Sequence, residues 1–546
     1  MNMSRIQKIP HSAFRIPHSK GVVYLVGAGP GDPQLITVKG ADALKQADVV
    51  IYDHLVSTRL LAYCSPTARL IYAGKEQGRH TKPQAEIHRL LVRFANAGKR
   101  VVRLKGGDPC LFGRGGEEAL ALAKARVPFE IIPGVTSAIA VPAYAGIPVT
   151  HREVSSSVAI ITGHEDPTKP ASGIRWAQLA TATDTLICLM GVGTLGETAR
   201  RLIRHGRAAS TPCAVIEWGT FPQQRTVTGT LSTIASRCAA AGLKPPAVVV
   251  VGAVARLRAR LNWFERKPLF GRRVIVTRPT DDRTDQLAER LEALGADVVR
   301  LPAIALAPVE SNGRFRQAIN DIGRFDWVFF TSPEGIHWFR RMLAGARRDL
   351  RILHGCHIGA IGPKTSASIE RLGIHVDFLP RAFSQDGMVH ELRRRKLAGK
   401  RALILSARDS RDVLEQGLRA EGMEVLKVPL YQTVVPHDLA RRVRAAFTRP
   451  VDYVTVTSSS CVEHLVSALR AARLGAAVRR LPFASIGPVT SATVRRHGGR
   501  VAVEAPSATI EALAEAIAAS ACRRRGRVCL SRPRGGREAQ RSRGAH

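Results

Sequence analysis

The chain has 546 residues, 45% of them hydrophobic and 23% charged, the balance of a globular protein rather than a disordered one. At about 100–200 residues per domain, that length implies three or four lobes. Lys and Arg number 82 against 44 Asp and Glu, a formal net charge of +38, which suits an anionic ligand such as nucleic acid, a membrane surface or a small polyanion.

No stretch reaches the roughly 18 apolar residues a membrane-spanning helix needs. The opening "MNMSRIQKIPHSAFRIPHSK" (1–20) lacks the apolar run of a secretory signal and reads as a disordered tail. Nine cysteines occur without a C-x-x-C pair, which argues against a zinc site and a disulfide framework and fits a reducing cytosol. Cys188 and Cys213 read as buried small hydrophobes. The arginine-rich C-terminal end (521–546) reads as a basic disordered tail.

From 22 to about 264, short β-branched runs alternate with helical segments, the pattern of an α/β fold. The predicted strands are "VVYLVG", "DVVIYD", "RLIYAG", "RVVRLKGGD", "FEIIPG", "SVAIITG", "TLICLMG", "PCAVIEWG" and "AVVVVG". "RLRARLNWFERKPLFGRR" closes this unit, with a boundary near 265–271. Beyond it lies an internal repeat. "RLEALGADVVRLPAIAL" (290–306) matches "GLRAEGMEVLKVPLYQT" (417–433), "VFFTSPEGIHWF" (328–339) matches "VTVTSSSCVEHL" (454–465), and "IGPKTSASI" (361–369) matches "IGPVTSATV" (486–494). Three blocks at nearly one offset imply two similar α/β lobes facing a cleft.

The first strand runs into Gly27-Ala28-Gly29-Pro30-Gly31-Asp32. A dinucleotide fold wants G-x-G-x-x-G, and Asp53 sits where its ribose-binding acid would. Asp32 occupies the place of the third glycine, so the fingerprint fails. Paired glycines at Gly106 and Gly107 next to Asp108 would let bare backbone approach a ligand, and Thr136 and Ser137 begin a predicted helix.

In order, GAGPGDP, DVVIYDHLVS, GGDP, PGVTS, GIPVTHR and MGVG resemble the tetrapyrrole methylases, specifically the uroporphyrinogen-III C-methyltransferases, over about 21–265. The resemblance implies a two-lobed α/β enzyme that binds S-adenosylmethionine in its cleft and pairs as a homodimer through this domain. It assigns Pro30, Gly106, Gly107, Asp108, Leu111, Thr136, Ser137, Met190 and Gly219 to the methyl-donor pocket. It makes Asp53 the proton acceptor and Lys75 the proton donor. Leu111 and Ser137 depart mildly from the residues usual there, isoleucine and alanine. Singly, each residue has a plainer reading: Asp53 as a turn cap, Lys75 as a solvated lysine, Gly106-Gly107 as a turn, Met190 as core filling.

From 272 to about 520, "RVIVTRP", "FFTSPEGI", "IGAIGPKTSASI", "SQDGMVHEL", "VPLYQT", "VTSSSCVEHL" and "IGPVTSATV" resemble uroporphyrinogen-III synthase. The implied fold is discontinuous, with one lobe from 272–304 plus 431–520 and the other from 305–430. The family reaction closes hydroxymethylbilane with inversion of ring D and loss of water, and needs no metal. Hydroxyls and backbone N–H groups at strand-to-helix turns (Thr331, Ser332, Thr365, Ser458, Ser459 and Thr490, with Lys364 beside them) suit a polycarboxylate. Thr and Ser in such places are also ordinary N-caps. Tyr431 matches the family tyrosine that the resemblance assigns to helping the leaving hydroxyl or positioning the chain, and its plainer reading is an interface packing residue. Arg278 and Arg408 are further candidate carboxylate partners.

The expected fold class is therefore α/β, a two-lobed methylase followed by a two-lobed, internally repeated synthase. The expected function is a bifunctional cytoplasmic enzyme acting on polycarboxylate tetrapyrroles, with S-adenosylmethionine, no metal, no nucleic acid and no membrane partner. It would make uroporphyrinogen III and methylate it at C2 and C7 to precorrin-2, on the way to siroheme or cobalamin. The alternatives are a methylase of a later precorrin with a synthase-like partner domain, and a basic nucleic-acid-binding protein. Against the latter stand an aromatic content of only 5% and no recognisable nucleic-acid motif.

Overall fold

A computed structural model describes residues 21–74, 83–164, 172–278, 285–309 and 313–524. The expected N-terminal tail at 1–20, all of the expected C-terminal tail (521–546) beyond 524, and Lys75 lie outside these residues. The chain divides into two compact units between Arg272 and Arg273, with Ala293–Asp297 grouped with the first.

The first unit opens with five strands, β1 (Val23–Gly27), β2 (Val49–Tyr52), β3 (Arg69–Tyr72), β4 (Val101–Lys105) and β5 (Phe129–Ile132), in the order β3-β2-β4-β1-β5. All pairs are parallel. The central strands are near-continuous apolar runs because helices cover both faces. Leu25, Ile51 and Leu91 pack on one side, and Val26, Leu44 and Leu104 on the other. Between β1 and β4 the chain changes winding direction, the place where open parallel sheets leave a crevice at their carboxyl ends.

A second sheet holds β6 (Val158–Thr162), β7 (Thr185–Leu189), β8 (Pro212–Glu217), β9 (Arg225–Thr230) and β10 (Ala247–Val251), ordered β6-β7-β10-β8-β9. β10 runs antiparallel to β7 and β8, and β9 antiparallel to β8. β9 is a strand the hydrophobic pattern misses: "RTVTGT" is a polar edge strand with no buried residue. Cys188 and Cys213 are buried here as expected, their thiols pushed up by burial to about 11 and about 12.

The second unit contains two more parallel-rich sheets. β11 (Arg273–Val276) and β12 (Asp297–Arg300) begin the first of them. β13 (Ala305–Pro308), β14 (Trp327–Phe330), β15 (His357–Ala360), β16 (Arg401–Ala407) and β17 (Glu424–Val434) form the other. β18 (Tyr453–Val456), β19 (Pro482–Ser485) and β20 (Arg500–Glu504) then complete the first sheet. The orders are β12-β11-β18-β19-β20 and β13-β17-β16-β14-β15. A lobe boundary at 430/431 is corrected by this topology. β17 continues to Val434 because β13 pairs with its end, Ala305 opposite Val434, so Tyr431 belongs to the inserted lobe.

The repeat is visible in three dimensions. Ser332 and Ser458 both have extended backbone, and each side chain accepts from the N–H three residues on, capping a 13-residue helix (Pro333–Gly345 and Ser459–Ala471). Gly362 and Gly487 likewise precede helices that start on proline. The last helix, Ile510–Arg524, buries Ala521 and Cys522. It therefore overruns the expected start of the C-terminal tail at 521. Among the described residues no helix is long and apolar enough to cross a membrane, and no three His, Cys, Asp or Glu side chains gather in a group that could hold a metal.

Candidate functional sites

Three loops meet at the carboxyl ends of β1, β4 and β5 with almost no side chain between them. Gly29 and Gly107 exchange backbone hydrogen bonds, Gly107 N–H to Gly29 O at 2.7 Å and Gly29 N–H to Gly107 O at 3.2 Å. A Cβ on Gly27 would lie 2.5 Å from Gly134 Cα, and one on Gly134 would lie 2.4 Å from Gly107 O. Gly107 has φ +68°, yet a Cβ there would meet nothing closer than 3.7 Å. The position combines left-handed backbone with van der Waals proximity to the Thr136–Ser137 turn, so bare backbone approaches that helix start.

Asp108 ties this junction together. Its Oδ1 accepts from Cys110 N–H (2.8 Å) and Leu111 N–H (3.1 Å), and its Oδ2 accepts from Gly134 N–H (3.0 Å). The carboxylate thus clamps two loops. Thr136 caps the helix Ser137–Tyr144 by accepting from Ala138 N–H at 3.2 Å. Leu111 packs against the buried cluster that contains Ala138, Val141, Ile187 and Leu189.

The second sheet contributes two strained turns. Met190, directly after β7, has φ +56° and is 52% exposed, so it is not core filling. Gly219 follows β8, flanked by Trp218 (φ +48°) and Thr220 (φ +70°). A Cβ on Gly219 would fall 2.2 Å from Val141 Cγ1, so only glycine fits against the helix. Non-glycine residues in left-handed conformation cost of order 1–3 kcal/mol each and gather at ligand sites. Pro30, Gly106, Gly107, Asp108, Leu111, Thr136, Ser137, Met190 and Gly219 all stand on these strand-end loops.

Asp53 directly follows β2, and its side chain does not cap the following turn; its backbone carbonyl does that, accepting from Val56 N–H. Its Oδ1 accepts from Arg103 Nη2 at 2.6 Å, and Lys105 Nζ stands 3.9 Å from Oδ2. Arg103 and Lys105 alternate along β4 and so share a face. There Glu118 Oε1 accepts from Arg103 Nε and Lys105 Nζ, each at 3.1 Å, and from Gln84 Nε2 at 3.0 Å. Arg103, Lys105 and Glu118 are 2%, 4% and 0% exposed, whereas the Asp53 side chain keeps 28%. A buried ionic base thus presents one carboxylate.

Burial, helped by Arg103, draws the Lys105 ammonium below its ordinary range against the pull of Glu118 and Asp53. Burial lifts the Glu118 carboxyl, but Arg103 and Lys105 together outweigh it and hold that carboxyl below its ordinary value. Sequence reasoning read "RVVRLK" only as a strand. The signal was there in two cations at alternate positions of an otherwise apolar run, which need an acid beneath them.

In the second unit, Tyr431 is 7% exposed, and its hydroxyl lies 2.9 Å from Ser332 Oγ, which also caps its helix by accepting from Gly335 N–H. Pairing between β16 and β17 shifts register after Ser406, so that Ala407 faces Tyr431; such a bulge re-aims side chains at a strand end. Burial pushes the Tyr431 phenol up, with Ser332 opposing and Glu334 adding. Thr331 donates its hydroxyl to Leu405 O, and Arg408 Nη1 donates to Gln432 Oε1 at 2.6 Å.

The other expected residues divide. Ser458 and Ser459 are half-buried at the start of their helix, Ser459 Oγ accepting from Thr493 Oγ1 at 2.9 Å. Lys364 is exposed at the matching turn. Thr365 and Thr490 are 2% and 5% exposed. Both residues are turned into their lobes, and the Thr365 N–H already donates to Gly362 O at 3.0 Å. That corrects the expectation of hydroxyl contacts there. The cause is helical geometry, which turns every third or fourth residue inward.

Two family models match the chain: the Tetrapyrrole (Corrin/Porphyrin) Methylases over residues 22–235, and the Uroporphyrinogen-III synthase HemD family over residues 285–515. A porphyrin biosynthesis protein HemD of Ruminiclostridium josui is 36% identical over 498 residues, spanning 91% of this chain and 97% of that protein. An S-adenosyl-L-methionine-dependent uroporphyrinogen III methyltransferase of Methanosarcina barkeri is 54% identical over 237 residues, 43% of this chain and 93% of its own. A crystal structure of the Thermus thermophilus uroporphyrin-III C-methyl transferase with S-adenosyl homocysteine is 42% identical over 43% of this chain and 94% of that one, with a TM-score of 0.38. The chain belongs to the family in which a tetrapyrrole methylase is fused to a HemD-type uroporphyrinogen-III synthase.

Proposed function

We propose that the second unit makes uroporphyrinogen III and the first unit methylates it. The chain is a bifunctional uroporphyrinogen-III C-methyltransferase and uroporphyrinogen-III synthase of tetrapyrrole biosynthesis. The methylation product is precorrin-2, formed by transfer to C2 and C7 and consumed by the siroheme or cobalamin branch. A cytosolic location and pairing of two copies through the methylase unit rest on the family resemblance.

The observation that carries the methylase half is the junction of Gly27, Gly107 and Gly134, where three strand-end loops meet backbone to backbone with Gly107 in the left-handed region, in a unit that also holds the strained turns at Met190 and Trp218–Thr220. S-adenosylmethionine fits such a backbone-lined cradle, held by Pro30, Gly106, Gly107, Thr136, Ser137, Met190 and Gly219, and it supplies an activated methyl on a sulfonium. The protein's own task is to orient the pyrrole carbon and handle one proton. Orientation is worth up to about 7–11 kcal/mol in two-reactant steps. Asp53 stabilises the positive charge on the methylated ring and accepts the proton it sheds, held in place by Arg103. Asp108 acts by clamping the loops through its carboxylate. Lys75 keeps the proton-donor role the resemblance gives it.

The synthase half rests on Tyr431 and Ser332. A buried phenol with a raised pKa stays protonated at neutral pH, so it can donate to the departing hydroxyl of hydroxymethylbilane, which leaves as water. Ser332 holds that phenol and is in turn fixed by its helix. The helix starts at Ser332, Gly362, Ser458 and Gly487 provide N–H groups for the substrate carboxylates.

The test supplies hydroxymethylbilane to the purified full chain with and without S-adenosylmethionine and resolves the oxidised products. Type III uroporphyrin without donor, and a dimethylated product with it, are expected. Type I uroporphyrin without donor would overturn the synthase half, and type III that stays unmethylated would overturn the methylase half.

A further inference from the structure

The two loops that carry Pro30 and Gly219 come from different sheets, so no strand ladder sets the distance between them. They touch at Asp32, whose N–H donates to Thr220 Oγ1 at 3.0 Å. Beside that bond a Cβ on Gly31 would lie 2.2 Å from the Phe221 ring. What holds Asp32 and Thr220 lies behind them, in the segment that follows the last strand of the methylase unit.

Thr220, in left-handed conformation, donates its N–H to Gln224 Oε1 at 2.9 Å. Gln224 is 2% exposed, and its Nε2 donates to Glu265 Oε1 at 2.9 Å. Glu265 Oε1 also accepts from Thr226 Oγ1 at 2.7 Å, and its Oε2 pairs with Arg258. Arg258 Nη1 reaches Ala145 O at 2.6 Å, at the end of the helix Ser137–Tyr144.

A second line converges on the same aspartate. Tyr144 donates its hydroxyl to Asp32 Oδ2 at 2.8 Å. Its ring meets Trp263 and Phe264 edge-on, at 5.1 and 4.8 Å between centroids. Trp263 Nε1 donates to Ala143 O at 3.0 Å, and Phe264 is 5% exposed and packs on Phe270. Arg258, Glu265 and the aromatic pair therefore brace both donor loops through Asp32 and Thr220.

We infer that the segment Arg258–Phe270 is a working part of the methyl-donor site, with Glu265 and Tyr144 as positioning residues that set the spacing of the Pro30 and Gly219 loops. The inference rests on those loops binding the donor. Neither residue touches it; each acts through Asp32 or Thr220.

The test measures S-adenosylhomocysteine binding to the full chain by calorimetry, for wild type, Glu265→Ala, Glu265→Gln and Tyr144→Phe. Loss of one largely buried hydrogen-bonded link predicts a Kd and a donor KM raised about tenfold in Glu265→Ala. At saturating donor kcat stays near wild type, as do the number of binding sites and type III uroporphyrin formation. Glu265→Gln keeps an acceptor for Gln224 and recovers part of the affinity, and Tyr144→Phe shows a smaller rise. An unchanged Kd, or fewer sites at an unchanged Kd, overturns the inference and leaves the segment a purely structural brace. Failure of the wild-type chain to bind S-adenosylhomocysteine overturns instead the reading of the loops as a donor site, and the inference with it.

Discussion

Arg103 donates to Asp53 Oδ1 at 2.6 Å and, through its Nε, to Glu118 at 3.1 Å. One guanidinium therefore links the carboxylate proposed as proton acceptor to an acid that water does not reach. Its planar fork donates to both at once from two different nitrogens, whereas the Lys105 ammonium reaches Glu118 at 3.1 Å but stands 3.9 Å from Asp53.

Removing that guanidinium leaves buried charge uncompensated. Arg103→Leu is expected to destabilise the methylase unit by about 3–5 kcal/mol, the cost of breaking a buried ionic cluster from one side. Thermal melting of the full chain, with synthase turnover as the internal reference for the other unit, measures it. A loss under about 1 kcal/mol would mean the cluster carries little net electrostatic weight.

Glu118 makes stability depend on pH in a definite direction. Its folded carboxyl titrates below the ordinary 4.5, so its contribution is complete above that value and fades as pH falls through the lowered one. Wild type is expected to lose melting temperature more steeply below about pH 4.5 than Glu118→Gln, which has no proton to gain there. At neutral pH the same variant is the less stable protein, since Arg103 and Lys105 lose their buried counterion. Parallel melting curves from neutral to acid pH would contradict the assignment.

The phenol of Tyr431 must be protonated to donate. Tyr431→Phe is expected to slow type III uroporphyrin formation by about 10²-fold, the lower range for general acid catalysis, with methylation of supplied uroporphyrinogen III unchanged. Because burial raises the phenol above its ordinary 10.0, ionisation of Tyr431 takes no activity away between pH 7 and that value. A wild-type rate in the phenylalanine variant would leave Tyr431 as a packing residue.

A methyl on Gly219 collides with Val141. Gly219→Ala is expected to cost about 1–3 kcal/mol from overpacking, and Val141→Ala in the same chain should return part of it. The double-mutant cycle separates this steric conflict from strain at a special backbone angle, because only the former responds to the valine.

Met190 pays strain at φ +56° while half-exposed. Met190→Gly should therefore raise the stability of the methylase unit by up to about 1 kcal/mol while weakening S-adenosylhomocysteine binding. An unchanged or raised affinity would show that the strained methionine does not serve the ligand, and a loss of stability would show that it serves the fold.

Much of the candidate site was legible before any coordinates. Gly27, Gly29, Gly106 and Gly107 announce close backbone approach by their type and spacing, and the offset near 126 between "TSPEGI" and "TSSSCVEHL" announces two like lobes. Strand β9 was missed because a polar edge strand has no buried face to give it a period. The lobe boundary at 430 was misplaced because β17 is extended by pairing with β13, a partner more than a hundred residues away.

Sequence alone determined the α/β succession, the two units and the repeat, since each follows from local periodicity and from motifs contained in one segment. Only the tertiary structure decided that Arg103, Lys105 and Glu118 form the base under Asp53, that Asp108 is a clamp, that Met190 stands strained in the open, and that Thr365 and Thr490 face inward. It alone brought Glu265 behind Gln224 and Tyr144 beneath Asp32. Those relations depend on which elements come to lie side by side, and that is settled by burial of apolar faces across the whole unit, a long-range sum that no short window of sequence contains.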